Sequence, residues 1–301
     1  MTHHVRPESE TNSERVMSSG KRVRHGFTLV EMLVVIAIIV VLLGLLLSAV
    51  FVALGTRARS ETTENIRQLA KGVSEFKTHF GVYPPSRIYL SRNIADYSSS
   101  GNEQLKADSL KYLYDIWPRL NMNDPSWKDN PYLEPQVLEG DQCLVFFLGG
   151  IPRTDSNGII MLGFAKGDNV TPLSENANVP RIKFFEFESD RLIKRGGSHY
   201  YSYADPFETG QPFAYFSHGF RNNGYSDNDC STLGIIPFYK STSPVKQYLR
   251  PDGFQIMSAG EDGQFGGTTL GAFNPRTGMQ LPKAVRDNYA NFHNLKLGSG
   301  N

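Results

Sequence analysis

The chain divides by the pattern of its apolar positions before any single residue is considered. Residues 1–25 are polar and aperiodic, and Met32 to Val52 then form a run of 21 uncharged, mostly apolar residues with one glycine, Gly44, and no proline. About 20 apolar residues at 1.5 Å rise cover the ~30 Å hydrocarbon core of a bilayer, so length alone predicts a membrane-spanning helix. The pattern then changes. Thr62, Ile66, Leu69, Val73, Phe76 and Phe80 recur at alternating spacings of four and three, with Arg67, Lys71, Glu75 and Lys77 on other faces. That is the stripe of an amphipathic helix laid on a core. No proline interrupts residues 27–83, so span and stripe read as one helix with a soft point at Gly55. Gly81 and the Pro84-Pro85 pair end it.

Downstream, Leu105, Leu110, Leu113 and Trp117 predict a short helix over Gln104–Trp117. Apolar or alternating runs predict strands at Cys143–Leu148, Ile159–Phe164, Ile182–Phe187, Phe213–Phe216 and Phe254–Ser258, separated by Gly149-Gly150, Asn157-Gly158, Gly196-Gly197 and Asp252-Gly253. The economical arrangement is α+β: a long N-terminal helix, membrane span plus amphipathic half, packed on a small antiparallel sheet with an enlarged, loop-rich head. The expected divisions are 1–26, a polar leader; 27–55, the span; 56–83, the amphipathic half; and 84–301, the head.

Composition changes this picture little. The 301 residues carry a formal charge of +1, which gives no broad electrostatic footprint for nucleic acid. Charge placement matters more. Lys21, Arg22 and Arg24 precede the span and outweigh Arg57 and Arg59 beyond it, so the positive-inside rule places the N-terminus in the cytoplasm and the head outside. The expected product is a single-pass cytoplasmic-membrane protein with its head exported to the periplasm or cell surface.

One residue stands out against the apolar run. Glu31 sits at its upstream edge, in Gly26-Phe27-Thr28-Leu29-Val30-Glu31. A carboxylate within a span costs roughly 2.5–3.5 kcal/mol on insertion scales, so it needs a partner or a purpose. A signal peptide would place its small residue after the apolar core, whereas here Gly26 lies before it. Cleavage after Gly26 would keep the span and make Phe27 the new N-terminus.

This segment resembles the N-terminal signal of type IV pilins and type II secretion pseudopilins. The resemblance implies a prepilin peptidase that cuts between Gly26 and Phe27 and methylates the Phe27 amine. It also implies that Glu31 pairs with the N-terminal amine of a neighbouring subunit as a helical filament assembles. Removing the leader takes five basic and three acidic residues and moves the balance from +1 to −1. The Tyr83-Pro84 step that closes the long helix is similar to the major pseudopilin. Asp205-Pro206-Phe207-Glu208-Thr209-Gly210-Gln211-Pro212-Phe213-Ala214-Tyr215 resembles that family's turn into the sheet, with two residues inserted, and would serve architecture.

Phe254 to Gly267 resembles the strand and calcium loop of major pseudopilins, which implies oxygens from Ser258, Asp262 and Gln264 around calcium. The family's further acidic residues are missing from Thr268–Asn274, and Asp287 is distant in sequence. A glycine-rich turn with Asp262 capping backbone amides is the other reading. The loop Asn222–Asp229 is oxygen-rich but lacks an EF-hand glutamate, and reads as a solvated loop. Cys143 and Cys230 are the only cysteines: an exported head permits a disulfide, and a buried free thiol at Cys143 fits equally well. The seven histidines are scattered, and no nucleophile elbow, phosphate loop or metal motif occurs, so no catalysis is expected.

The expected function is a structural subunit, similar to the major pseudopilin, in a type II secretion pseudopilus. Its partners would be further copies, the peptidase, an assembly platform, minor pseudopilins and the membrane. The alternatives are a type IV pilus or DNA-uptake pilin, and a pilin-signal-anchored carbohydrate-binding or enzymatic head.

Overall fold

The computed structural model describes residues 27–156, 158–167, 170–176, 178–218, 224–242, 246–267, 281, 283–293 and 296–298. The chain forms two compact units, Met1–Val52 and Ala53–Asn301. Helix α1, Leu29–Phe80, contributes to both.

In the first unit, Leu29–Leu47 is long and apolar enough to cross a membrane, and none of it is buried within the chain. Large side chains such as Leu33, Ile36, Val40 and Leu46 are all exposed. Among the described residues nothing in this unit covers that apolar surface.

The second unit uses its own stretch of α1 in the opposite way. Thr62, Ile66, Leu69, Val73 and Phe76 are buried, as the four–three spacing predicts. Gly81 ends the helix at φ +81° and donates its N–H to Lys77 O at 2.7 Å, the glycine cap that the sequence implies. After it come β1 (Arg87–Leu90), α2 (Glu103–Ile116), the short α3 (Pro125–Lys128), β2 (Gln136–Glu139) and α4 (Gly140–Gly149). The predicted helix at Gln104–Trp117 matches α2 within one residue at each end.

The expected strand at Cys143–Leu148 is instead the core of α4, every residue of which is buried. A helix buried on all sides shows no 3.6-residue alternation, so a short apolar run cannot tell it from a strand. The deciding signal lies just upstream: Gln142 Oε1 accepts the Glu139 N–H at 3.2 Å and so stabilises the first turn. Gly140 permits the entry, because a Cβ there would collide with Tyr215 O and Cys230 Sγ.

The sheet is also more divided than expected. β1 pairs with β2, and the later strands β3 (Pro152–Asp155) with β4 (Gly158–Met161), β5 (Phe164–Ala165) with β6 (Arg181–Ile182), and β7 (Leu192–Lys194) with β8 (Tyr201–Tyr203), all antiparallel. A three-stranded sheet comprises β9 (Ala214–Ser217), β12 (Phe254–Ser258) and β13 (Tyr289–Ala290), with β12 central; β10 (Tyr239–Ser241) and β11 (Gln247–Tyr248) pair beside it in sequence. The predicted run Ile159–Phe164 is two strands split at Gly163, whose φ of +73° turns the chain. Of Ile182–Phe187 only Ile182 is in a ladder. Phe184 instead donates its N–H to Leu148 O at 2.8 Å and lays its own carbonyl over Gly72 of α1.

Period-2 alternation places the three-stranded sheet between two cores. Tyr215, Phe254 and Ile256 face the larger core, which holds the α1 stripe and α4. Ala214, Phe216 and Met257 face a smaller one with Ile235, Phe238 and Val285. Phe76 joins α1 to the larger core by edge contacts with Phe147 and Phe184, at centroid distances of 5.9 and 5.2 Å. The Tyr-Pro exit is fixed by Tyr215, whose hydroxyl donates to Pro84 O at 2.8 Å.

Candidate functional site

The first candidate lies where α1 begins. Thr28 precedes the first helical residue and Glu31 is the third within it, which places them as N-cap and N3. The Thr28 N–H and hydroxyl donate to Glu31 Oε2 at 2.7 and 2.9 Å, and the Glu31 N–H donates to Thr28 Oγ1 at 3.2 Å. This is a reciprocal capping box: each side chain satisfies a backbone donor that the helix leaves open. The carboxylate that looks isolated in sequence therefore has two donors within its own chain, which lowers the penalty for placing it in an apolar setting. Phe27 is 79% exposed beside it. Gly26 and the leader 1–26 lie outside the described residues. Thr28 is the participant that the charge argument alone overlooks; its signal was the Thr-x-x-Glu spacing.

The second candidate, the loop after β12, is built differently from a calcium cage. Ser258 Oγ donates to Asp205 Oδ2 at 2.6 Å and accepts the Gly260 N–H at 3.1 Å. Asp262 Oδ1 accepts the Gln264 N–H at 2.9 Å, while the Asp262 N–H donates to Asp287 Oδ2 at 3.0 Å. The Ser258 hydroxyl serves a buried carboxylate, and Gln264 offers its backbone donor to Asp262. A calcium ion needs six to eight converging oxygens, and among the described residues the Ser258 and Asp262 oxygens are engaged in these hydrogen bonds. Among the described residues no group of three or more His, Cys, Asp or Glu is placed to hold a metal. In the described residues Asp262 caps one amide, that of Gln264, and residues 268–274 lie outside the described part.

What fixes this loop comes from residues remote in sequence. Asp205 is buried and also accepts the Phe207 N–H at 3.3 Å; burial pushes its carboxyl up to about 6, against the opposing pull of the Ser258 hydrogen bond. The turn it opens is closed by Asp205 N–H to Gln211 O at 2.8 Å, and Phe207 stacks on Tyr289 at 5.9 Å. Glu261 takes a two-point ion pair from Arg59 of α1, at 2.8 and 3.1 Å, and a further one from Lys296. The Arg59 hydrogen bond holds the Glu261 carboxyl below its usual range. Arg191 is a second link to α1. It donates twice to Ala204 O, at 2.9 and 2.7 Å, reaches Glu61 Oε1 at 3.2 Å and lies over the Tyr203 ring at 4.3 Å.

The remaining candidates separate. In the loop Asn222–Asp229, Asn222 and Asn223 lie outside the described residues. Asp227 binds Lys246 at 2.7 Å and Asp229 accepts the Ser86 hydroxyl at 2.6 Å, so the two carboxylates serve different partners. Cys143 and Cys230 are both buried and no disulfide joins them, so the disulfide reading gives way to buried thiols. The physical reason is local: Cys230 Sγ donates to Tyr215 O at 3.3 Å and Cys143 Sγ to Leu138 O at 3.7 Å, each held by a different strand.

Residues 21–47 match the family model for the prokaryotic N-terminal methylation motif. No curated protein and no solved structure matches the chain. The signal is that of a pilin-like, prepilin-processed chain, and it covers the leader junction, Phe27, the Thr28–Glu31 box and the apolar helix. It implies processing by prepilin peptidase and pilus-like assembly from a membrane-anchored state.

Proposed function

We infer that this chain is a structural subunit of a pilin-like filament, and specifically of a type II secretion pseudopilus. The observation that carries the reading is the start of α1: a capped Glu31 next to exposed Phe27, followed by an apolar stretch with no cover among the described residues. Cleavage after Gly26 frees the Phe27 amine, and methylation leaves that amine its charge. A subunit entering the filament brings its amine to the Glu31 of a neighbour. Breaking a buried charge pair of this kind by removing one partner costs about 3–5 kcal/mol, enough to decide whether a subunit joins.

The pseudopilus assignment over a pilus leans on the Tyr83-Pro84 exit and on the Asp205–Tyr215 turn. The work of the chain is mechanical rather than catalytic, its head is exported, and its partners are further copies and an assembly platform. The reading is tested by isolating the mature chain from membranes that contain prepilin peptidase. Mass spectrometry is expected to find an N-terminus at Phe27, one methyl group heavier, and Gly26→Ala is expected to leave the precursor intact. A mature-size chain persisting in that variant would refute the processing assignment.

A further inference from the structure

The head carries opposite charge on two flanks of the same stretch of α1. On one flank an open groove of about 550 Å³ lies between the helix and the three-stranded sheet. Its walls include Arg67, Lys71 and Ser74 from α1 and Phe254, Tyr289 and Arg250 from the sheet side. Lys77 adds a further cation beside it, over the Tyr83 ring at 4.1 Å. Arg67 and Lys71 hold Glu64 and Glu75 of their own helix, at 2.6 and 3.6 Å. Both are exposed pairs, worth at most about 1 kcal/mol, and the cations around the groove outnumber the carboxylates.

The other flank lies roughly 150° around the helix, where Glu61 and Gly72 fall on a 3.6-residue wheel. There the segment Lys183–Arg191 crosses α1: the Phe184 carbonyl covers Gly72 and Arg191 pairs with Glu61. Phe184, Phe185 and Phe187 point inward and are buried, while the side chains of Glu186 and Glu188 are 70% and 56% exposed and Asp190 is exposed beside them. Lys183 and Arg191 offset part of this charge, and carboxylates remain in excess.

We propose that the acidic edge Glu186–Asp190 of one copy docks in the basic, aromatic-floored groove of the next. Two different surfaces of one chain that fit each other make a heterologous contact, and such contacts propagate into open helical assemblies rather than closing as dimers. The charge pattern sets register and direction, and the half-buried ring of Tyr83 adds apolar area to the groove wall. The proposal rests on the filament reading above and adds to it a second, head-to-head interface.

The test uses the full chain in membranes, with one cysteine in the groove wall (Ser74→Cys) and one on the acidic edge (Lys183→Cys), since the native thiols are buried. A short bismaleimide is expected to give a ladder of multimers from the doubly substituted chain, dimers only from a mixture of the two single variants, and neither from one single variant alone. Adding Glu186→Lys with Glu188→Lys should cut ladder yield about tenfold, and Arg67→Glu with Lys71→Glu in the same chain should restore it. Cross-linking by a single variant alone overturns the proposal, because it marks a symmetric contact. So does failure of the paired reversals to restore the ladder. Absence of a ladder while wild-type filaments still sediment overturns the docking and leaves the filament reading standing. Absence of any filament from the wild-type chain defeats both.

Discussion

Two stretches of the one helix α1 meet opposite circumstances. Beyond Glu31, Leu29–Leu47 is apolar all round and has no cover among the described residues. Thr62–Phe80 is apolar along one stripe, and that stripe is buried by α4, by the Phe184 segment and by the three-stranded sheet. A helix that is hydrophobic all round calls for an apolar environment on every side, whereas a striped one calls for a single packed face. The difference lies in where each stretch finds cover: the striped one finds it in its own head, and the uniform one finds none among the described residues. The carboxylates at the start of the striped stretch, Glu61 and Glu64, are held by Arg191 and Arg67, whereas Glu31 at the start of the uniform one is held only by the Thr28 box among the described residues.

Substitutions can break this comparison in order of expected size. Phe76→Ala empties a fully buried aromatic site and should destabilise the head by about 3–5 kcal/mol, read by chemical unfolding of the full chain in detergent. Ile39→Ala in the uncovered stretch should leave that unfolding unchanged; an equal loss would mean that the first stretch is packed on the head after all. Arg191→Ala removes the two bonds to Ala204 O and the Glu61 pair, and about 2–4 kcal/mol is expected.

Asp205 supplies a pH signature. Its folded-state value, about 6, lies above the ordinary 3.8, so the native state binds this proton more tightly than the unfolded chain. The stabilisation is fully present below about pH 4 and is lost as pH rises through about 6, for a total of roughly 2–3 kcal/mol. Asp205→Asn should flatten that part of the stability–pH curve; an unchanged curve would place the titration elsewhere. The smallest effect belongs to Glu261→Ala, which releases the half-exposed Arg59 pair and should cost no more than about 1 kcal/mol, with a dependence on salt.

The two stretches of α1 were legible in the sequence because each repeats one rule over many residues, and because Gly81 and Pro84 mark the stop in local chemistry. The helix Gly140–Gly149 was not. Its ten residues are buried on every face, which erases the helical period, and its first turn depends on Gln142 reaching back to Glu139. The sheet was over-joined for a related reason: Gly163 breaks one apolar run, and Phe184 gives its N–H to α4 rather than to a strand. At the loop after β12, Asp262 was visible, but its surroundings were not. Ser258 meets Asp205 across 53 residues, and Glu261 meets Arg59 across 202, separations at which sequence spacing carries no information. At the N-terminus the opposite holds. Thr28 and Glu31 are three residues apart, so both the motif and the box that holds its carboxylate lie within one turn of sequence.

That box bears on the central claim, that Glu31 is an assembly device rather than a tolerated fault. The most direct measurement compares Glu31→Ala with the unaltered chain for cleavage, membrane insertion and recovery in the sheared filament fraction. The account predicts full cleavage to Phe27 and normal insertion, with the variant absent from the filaments. Filaments recovered at the unaltered yield would contradict it.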